Sequence, residues 1–201
     1  MTTYRKEIYR KIFHLSALAI AAGMWLLPSL IAKMLLAIML AISIEIEHRR
    51  RGEGVVSKLF YRFFSPLLRE HEHKTLMGVT FMLLSALLVL SVFHKQIAFS
   101  AFSIVVVGDL FAALVGKKWG KCKIVGEKTI EGTLAFIVSG LVTVAILGII
   151  VDAAGPFYLG GLAAVIAGAL AELVAKSMGT DDNLLAVVAS ATCMWFVLYY
   201  I

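Results

Sequence analysis

The sequence has few of the residues on which soluble or disulfide-stabilised proteins depend. Only 16% of its 201 residues are charged, and it contains two cysteines, Cys122 and Cys193. Two cysteines are too few for a disulfide framework or a cysteine-based metal site. There is no sustained internal repeat, no low-complexity tail and no polar stretch long enough for a separate soluble domain. The G-x-x-x-x-G-K-[ST] pattern is also absent, which excludes a nucleotide site of the P-loop type.

Apolar residues dominate the rest of the chain. They make up 61% of it, and the mean hydropathy is +0.92, whereas soluble domains average about 45–50% apolar residues. A helix that crosses the bilayer needs about 20 mostly apolar residues. We therefore expect an all-α integral membrane protein, with residues 1–201 forming a single transmembrane domain of seven transmembrane helices. The predicted helices cover 12–29, 30–46, 76–93, 96–116, 132–151, 156–175 and 184–201.

The N-terminus has the charged-then-apolar order of a signal peptide. Its apolar stretch continues to Pro28, and no convincing small-residue cleavage site precedes Trp25. We expect this segment to stay in the protein as its first helix.

Lysine and arginine fall almost entirely on one side of the predicted helices. Of the 19 basic residues, only Lys33 and Lys95 fall on the other side. The positive-inside rule then places the N-terminus in the cytoplasm and the C-terminus outside. The outer loops are short and Asp152 is their only acidic residue, so we expect the chemistry at the cytoplasmic face. The net charge of +6 would meet anionic headgroups or an anionic substrate there.

The longest polar stretch, residues 45–78, separates the second and third predicted helices. Its middle, VVSKLFYRFFSPLL, mixes basic with aromatic residues and stops near Pro66. This composition favours one amphipathic helix lying in the membrane interface. An anchor at the level of the headgroups is a simpler role for this helix than contact with a substrate.

Several carboxylates lie near the cytoplasmic ends of predicted helices. Asp109 lies about 10 Å inside the membrane, at 1.5 Å per residue from Gly116, and Glu172 lies at a similar depth. Ionisable residues at such positions are costly and usually face the bundle interior or a cavity. The same side also carries Glu131, Asp181, Asp182 and Asn183. Pairing with loop lysines is the structural alternative for these acids, and Glu131 would also complement the dipole of the helix that it begins.

Lysines and glycines are interleaved after the fourth predicted helix. The lysines are Lys117, Lys118, Lys121, Lys123 and Lys128, and the glycines are Gly116, Gly120, Gly126 and Gly132. Such lysines alone are typical of a positive-inside loop. Glycines, however, let a backbone approach a ligand closely, lysines bind phosphates as point charges, and Mg²⁺ takes one or two carboxylates plus phosphate oxygens. Together with the embedded acids, they predict a Mg²⁺–nucleotide site in a cytoplasmic cleft.

Four motifs occur in an order that resembles one enzyme family. They are RKIFHL at 10–15, GDLFAALVGKKWGK at 108–121, KTIEGTLAF at 128–136 and DDNLL at 181–185. Over nearly its whole length the chain resembles the membrane-embedded CTP-dependent lipid kinases, namely dolichol kinase, phytol kinase and the yeast-type CTP-dependent diacylglycerol kinase. These are related to phosphatidate cytidylyltransferase. Each motif is weak alone, and their order makes the match specific.

The resemblance implies a catalytic domain that transfers the γ-phosphate of CTP to the hydroxyl of a membrane isoprenoid alcohol, of the dolichol, polyprenol or phytol type, with Mg²⁺. An isoprenoid is expected because two of the three kinase branches use one. Asp109 and Asp182 would bind the metal. A carboxylate must also take the hydroxyl proton, and Asp182 and Glu172 are the candidates, with Glu172 open between this role and metal binding. The residues implied to hold the nucleotide are Lys117, Lys118, Lys121, Lys128, Glu131, Gly132 and Asn183.

The resemblance also covers the beginning of the first helix and the end of the second. Arg10, Lys11 and His14 lie within one turn of each other, and the family motif implies phosphate binding for them; an interfacial anchor is the alternative. The family pattern ends the second helix in a Glu followed by Arg, here EIEHRRR. Glu47 is the better match, with Glu45 as the alternative, and the resemblance implies a contact with the nucleotide for this residue.

Two other functions compete with a lipid kinase. A cytidylyltransferase would make a CDP-lipid, but the longer S-x-x-K-R … K-D … H-G-G ending of those enzymes is absent here, where the chain continues as AKSMGTDDNLLAV. A small ion-coupled transporter would need polar residues on both faces, whereas they gather on one. No nucleic-acid partner is expected. The choice of lipid alcohol and the oligomeric state, a homodimer included, are left open.

Overall fold

A computed structural model describes residues 10–11, 13–52, 54–64 and 76–200. These residues form a helical bundle with a short hairpin. The helices are α1 Ala17–Leu26, α2 Ser29–Arg50, α3 Val55–Phe64, α4 Gly78–Val92, α5 Lys95–Trp119, α6 Ile130–Ile150, α7 Gly155–Val174 and α8 Asp182–Tyr200. The hairpin joins α5 to α6 and pairs β1, Lys123–Val125, antiparallel with β2, Lys128–Thr129. The predicted all-α class is therefore confirmed.

Each of the seven predicted apolar segments contains a helix, but the helices differ in length. Within the described residues, α2, α5, α6, α7 and α8 are long and apolar enough to cross a membrane. The segments Phe13–Leu26 and Gly78–Val92 are apolar helices of fewer than 18 residues. Helix length and composition thus fit a membrane protein, while the count of seven spans and the cytoplasmic N-terminus stay predictions. Residue 12, where the first predicted helix begins, lies outside the described residues.

α2 continues beyond its predicted end at residue 46, as far as Arg50. The side chains of its last turn pair along the helix. Arg49 Nε donates to Glu45 at 2.5 Å, and Arg50 Nε donates to Glu47 at 2.7 Å. Pairs at i,i+3 and i,i+4 stabilise a helix, so a prediction from hydropathy alone places the end of this helix too early.

A helix, α3, lies after α2 in the segment for which an amphipathic helix is expected, and its amphipathic character stays a prediction. Its Ser57 and Phe60 are buried, and the helix packs against α2. Its location in the membrane interface stays a prediction. The expected end near Pro66 lies outside the part of the chain that the structure describes.

α5 is the central helix of the bundle. Every residue from Ile97 to Val106 is buried, and α5 packs against α1, α4, α6, α7 and α8. A helix enclosed in this way has to be apolar on all sides, and this run of α5 is apolar except for Ser100 and Ser103. Asp109 lies three residues after this run and is buried, so α5 positions a carboxylate in the interior of the bundle.

Small residues allow α7 to approach its neighbours closely. A Cβ on Gly168 would lie 2.5 Å from Ser190 Oγ of α8, and that hydroxyl donates to Ala164 O of α7 at 2.9 Å. Gly161 faces Val144 of α6 in the same way, with no room for a side chain. Membrane helices associate through such close van der Waals contacts. These contacts fix the positions of α6, α7 and α8 relative to one another.

A contact with Lys95 holds the C-terminal end of α1. Lys95 Nζ donates to Leu27 O at 2.8 Å and lies 5.6 Å from the ring centroid of Trp25. The helix end carries a partial negative charge that a cation stabilises. Lys95 therefore attaches α1 to the beginning of α5, at the end of the bundle opposite Lys11.

We predict that Gly161→Ala lowers the free energy of unfolding by about 1–3 kcal/mol, the usual cost of overpacking a core. The added methyl would overlap Val144, and a valine side chain has little freedom to turn away. Thermal unfolding of the purified protein in detergent measures the change. Gly155→Ala is the matched control, because a Cβ there meets no atom within 4 Å. Equal stability of the two variants would contradict this packing of α6 and α7.

Candidate active site

A small cleft lies at the lysine-rich end of the bundle. Its lining comes from α5, α6, α7 and α8, which bring together side chains from distant parts of the sequence. The lining residues are Val105, Asp109, Phe136, Glu172, Asp182, Asn183 and Ala186. All four polar members of this set are residues that the sequence predicts for the site, so the predicted acids of α5, α7 and α8 do share one cleft.

Asp109 is held by the first described turn of the chain. Its side chain is 10% exposed, Lys11 Nζ donates to its Oδ2, and His14 Nε2 lies 3.2 Å from the same oxygen. Lys11 is itself buried. A carboxylate at this depth is costly unless it is paired and hydrogen-bonded. Lys11 and His14, predicted as phosphate ligands or interfacial anchors, are thus partners of the buried acid.

Lys128 holds the other two acids of the cleft. It lies in β2, where its Nζ donates to Glu172 Oε1 and lies 3.5 Å from Asp182 Oδ2. Glu172 belongs to the last turn of α7 and Asp182 begins α8. One lysine therefore connects the hairpin to two helices.

Electrostatics show that the two groups of charges act on each other. Burial on its own lowers the pKa of Lys128. The carboxylates of Glu172, Asp182 and Asp109 act in the opposite direction and outweigh burial, so the pKa lies above the ordinary lysine value of 10.5. A raised folded-state pKa stabilises the fold fully below the unfolded pKa, and this contribution is lost as the pH rises through the folded pKa. Lys128 is therefore charged at neutral pH.

The hairpin sets Lys128 beside the first turn of α6. Gly126 has φ +58°, a conformation that favours glycine, and it makes the turn between β1 and β2. Thr129 then caps α6, because its Oγ1 accepts the Gly132 N–H at 3.2 Å. A helix N-terminus attracts anions through its free N–H groups and its dipole. Lys128 and the N-terminus of α6 thus present positive charge to the same region.

Glu131 connects the loop after α5 to α6. Its Oε1 accepts the backbone N–H of Lys121 at 3.0 Å and that of Cys122 at 3.4 Å. Its other oxygen, Oε2, is buried and has no hydrogen-bond partner within the described ranges. The first oxygen explains the position of the loop.

Gly132 has a packing role in the structure. A Cβ on Gly132 would lie 2.9 Å from Ala112 O and 3.3 Å from Gly116 Cα. Only glycine permits this approach of α5 and α6. The nucleotide contact that the family motif implies for Gly132 stays a prediction.

The remaining predicted residues differ in how closely they approach the cleft. Asn183 is buried in it and its N–H donates to Asp181 Oδ1 at 2.9 Å. Arg10 directly precedes Lys11 and is half-buried. The predicted lysines Lys117, Lys118 and Lys121 are exposed on the last turn of α5 and the following loop. They lie at the same end of the bundle as the cleft but do not line it.

Glu47 belongs to a different cluster. It is buried, its Oε2 accepts from Arg50, and its Oε1 accepts the Met77 N–H at 2.7 Å. Arg50 is buried as well and lies over the Phe60 ring. Ser57 Oγ donates a hydrogen bond to the Arg50 carbonyl at 2.9 Å. These contacts connect α2, α3 and the start of α4, and they do not include the cleft acids. A nucleotide contact by Glu47 stays a prediction, and the structure gives this residue a role in holding α2, α3 and α4 together.

Phe136 is a cleft residue that the sequence does not single out. It is completely buried, and a Cβ on Gly108 would lie 2.7 Å from its ring. The glycine of the Gly108–Asp109 pair is therefore explained by the aromatic ring of α6 that packs beside Asp109. The sequence signals are the glycine next to a buried acid and the KTIEGTLAF motif, which ends at Phe136.

The donor set of the cleft fits a hard cation. Asp109, Glu172 and Asp182 offer carboxylate oxygens, which Mg²⁺ prefers. In the described part of the chain, however, no three His, Cys, Asp or Glu side chains are close enough to hold a metal by themselves. Mg²⁺ is usually bound by one or two carboxylates together with substrate phosphates, so this arrangement suits a metal that arrives with a phosphate ligand.

We predict that Lys128→Met destabilises the protein by about 2–3 kcal/mol. Removing one partner of a fully buried ion pair costs about 3–5 kcal/mol, and the Lys128 side chain is 33% exposed, which reduces the effect. The double variant Lys128→Met/Glu172→Gln should recover part of this loss, because it leaves no unpaired charge at Glu172. Thermal unfolding in detergent measures both.

Lys123→Met is the matched control for this experiment, since Lys123 is an exposed lysine of the same hairpin. It should change stability by less than about 0.5 kcal/mol. Equal effects of the Lys123 and Lys128 substitutions, or no recovery in the double variant, would contradict the pairing.

Comparisons with known proteins give two relatives. An uncharacterised protein of Rickettsia prowazekii, RP860, is 30% identical over 188 residues, which cover 89% of this chain and 88% of the relative. The CTP-dependent diacylglycerol kinase 1 of Schizosaccharomyces pombe is 31% identical over 153 residues, covering 71% of this chain and 70% of the relative. No family model and no solved structure matches. Because the match to the kinase extends over more than two thirds of both proteins, the chain belongs to the CTP-dependent lipid kinase family.

Proposed function

We propose that the protein transfers the γ-phosphate of CTP to the hydroxyl of a membrane lipid alcohol, with Mg²⁺, at the cytoplasmic face of the membrane. The observation that carries the proposal is the cleft in which Asp109, Glu172 and Asp182 meet at the lysine-rich end of a membrane bundle. The choice of CTP rests on the family and on the S. pombe relative. The cytoplasmic location rests on the distribution of the basic residues.

The cleft has the groups that phosphoryl transfer requires. Asp109 and Asp182 would hold Mg²⁺, which neutralises charge on the phosphates when bound. Phosphoryl transfer depends mainly on positioning and on neutralising the charge of the transferred group. Lys11 and Lys128, which now bind the carboxylates, would share their positive charge with the phosphate oxygens. The exposed Lys117, Lys118 and Lys121 would add to the attraction for an anionic nucleotide.

A carboxylate of the cleft would take the proton of the lipid hydroxyl. Glu172 and Asp182 are the two candidates, because both line the cleft and both lie within reach of Lys128. The alcohol oxygen then forms a bond to the γ-phosphorus, the bond from that phosphorus to the bridging oxygen breaks, and CDP leaves. The proton is released from the carboxylate after the transfer. A general base typically contributes about 10²–10⁴-fold to the rate.

Two acceptors fit this proposal. An isoprenoid alcohol of the dolichol, polyprenol or phytol type is the acceptor that most branches of the family imply. Diacylglycerol is the second candidate, and the printed name of the S. pombe relative favours it. Both carry a primary hydroxyl, which ends the hydrocarbon chain of an isoprenoid alcohol and lies on the glycerol backbone of a 1,2-diacylglycerol, and in both the hydrocarbon chains can stay in the membrane.

We expect label from [γ-³²P]CTP, and none from [α-³²P]CTP, to enter the lipid when the purified protein is given Mg²⁺ and a lipid alcohol. The acceptors to compare are dolichol, phytol, geranylgeraniol and diacylglycerol. Label from the α position with release of pyrophosphate would instead identify a cytidylyltransferase. No label from either nucleotide in any of the four lipids would contradict the proposal.

Asp109→Asn tests the role of Asp109 in this assay. It should lower kcat by about 100-fold or more, the range seen when one electrostatic group of an active site is removed. Asp152→Asn is the matched control at the other end of the bundle, where Asp152 is exposed in the turn between α6 and α7 and has φ +49°, a conformation that asparagine tolerates. Unchanged turnover by Asp109→Asn would show that Asp109 has only a structural role.

A further inference from the structure

A long apolar groove runs along the side of the bundle, on the membrane-facing surface between α1, α5 and α6. Both α1 and α6 pack against α5, and the space left between them has a volume of about 810 Å³. None of its lining residues is charged. This groove is separate from the acidic cleft and has no part in the reaction steps described above.

The groove extends over most of the depth of a bilayer. On α5 its lining repeats every four residues from Phe99 to Val115, a distance of about 24 Å at 1.5 Å per residue. On α6 it extends from Ala135 to Ile150, about 22 Å by the same rise. The hydrocarbon core of a bilayer is about 30 Å thick. The groove therefore matches a hydrocarbon chain that lies along the membrane normal.

The hydroxyl groups in the groove are already bonded within their own helices. Ser103 Oγ donates to Phe99 O at 2.8 Å, Ser139 Oγ donates to Ala135 O at 2.7 Å, and Thr143 Oγ1 donates to Ser139 O at 2.8 Å. Their donor capacity is used, so the surface offered to a ligand is effectively apolar. A hydrocarbon fits this surface better than a polar ligand does.

The volume of the groove is sufficient for a hydrocarbon chain along its whole length. A volume of 810 Å³ spread over about 24 Å of length corresponds to a mean cross-section of about 34 Å². Carbon atoms pack about 4 Å apart, so a single chain needs about half of that cross-section. One hydrocarbon chain therefore fits within the groove.

One wall of the groove leads to the acidic cleft. His14 lies four residues before Leu18, which lines the groove, so the two share a face of the helix at its cytoplasmic end. His14 and Lys11 contact Asp109. On α5 the groove residues Val107 and Phe111 lie two residues either side of Asp109, about 200° around the helix from it, so the groove and the cleft occupy opposite faces of α5. The segment Phe13–Leu26 is thus the element that contacts Asp109 at His14 and lines the groove from Leu18 onward.

We propose that this groove binds one hydrocarbon chain of the lipid alcohol and holds its hydroxyl end beside Lys11 and His14. The proposal rests on the proposed function for the identity of the lipid. An isoprenoid alcohol would place its single chain there. A diacylglycerol would place one acyl chain in the groove and leave the other in the bilayer.

The substitution Ala22→Phe tests whether the groove holds the hydrocarbon chain, by comparing acceptors with long and short chains. Ala22 lies in the groove lining eight residues after His14, about 12 Å along the helix. A phenylalanine there should obstruct geranylgeraniol but not geraniol, which is half as long. We expect kcat/KM for the longer alcohol to fall about tenfold relative to the shorter one, within the range that pocket shape alone provides. If diacylglycerols are the acceptors, dioleoyl and dioctanoyl forms make the same comparison.

Ala37→Phe is the matched control, because Ala37 is exposed on α2 and does not line the groove. It should leave the ratio for long and short acceptors unchanged. An Ala22→Phe variant that is folded and has the same ratio as Ala37→Phe would overturn the proposal while leaving the kinase function intact.

Photo-crosslinking of the wild-type protein tests the same site without relying on activity or on a variant. A geranylgeraniol analogue with a diazirine at the far end of its chain should label peptides that contain Val142, Ile146 or Trp25, and excess geranylgeraniol should compete. Labelling in the groove by a protein that phosphorylates no lipid would support the groove and contradict the kinase. Labelling confined to α2 would overturn the groove.

Discussion

Buried carboxylates need positive partners, and in this bundle the partners come from segments far away in the chain. Lys11 reaches Asp109 from the first turn, and Lys128 reaches Glu172 and Asp182 from the hairpin between α5 and α6. Without these pairs, the acids would face the large penalty of a charge removed from water. The pairs therefore fix where α1, the hairpin, α7 and α8 lie around the central helix. The packing glycines of α6 and α7 allow the helices to come close enough for these contacts.

The same pairing suits the function that we propose. Three carboxylates meet two ammonium groups and one imidazole, so these side chains nearly balance one another in charge and have little attraction for a metal ion alone. A nucleotide triphosphate would bring negative charge for the lysines, and its metal would bring positive charge for the acids. The phosphates would then pair with the lysines that the metal separates from the acids, and the metal would pair with the acids that lose those lysines. Binding of the metal and binding of the nucleotide would therefore depend on each other. The lipid chain would reach this cleft from the membrane side, along the α1 wall of the groove.

Much of this arrangement follows from the sequence, because a bilayer imposes strong rules. Apolar runs of sufficient length predict helices, and the clustering of basic residues at one side predicts which acids can share a cleft, as Asp109, Glu172 and Asp182 do beside Asn183. The contact of Lys11 with Asp109 joins residues 98 positions apart and leaves no local signal. Glu47 and Gly132 carry family motifs, yet their contacts in the structure are with Arg50 and Met77 and with α5, respectively. The hairpin was not predicted from the sequence, because its strands are only three and two residues long and so have no recognisable alternation of apolar and polar residues.

Mutual dependence of metal and nucleotide is the most direct test of this account. Binding of Mn²⁺, as a paramagnetic substitute for Mg²⁺, can be followed by electron paramagnetic resonance on the purified protein, with and without a CTP analogue whose β–γ bridge cannot be cleaved. The account predicts that the analogue increases Mn²⁺ affinity at least tenfold, about 1.4 kcal/mol of coupling, and that Asp109→Asn removes this increase. Tight Mn²⁺ binding without the analogue, or an increase that survives Asp109→Asn, would contradict it.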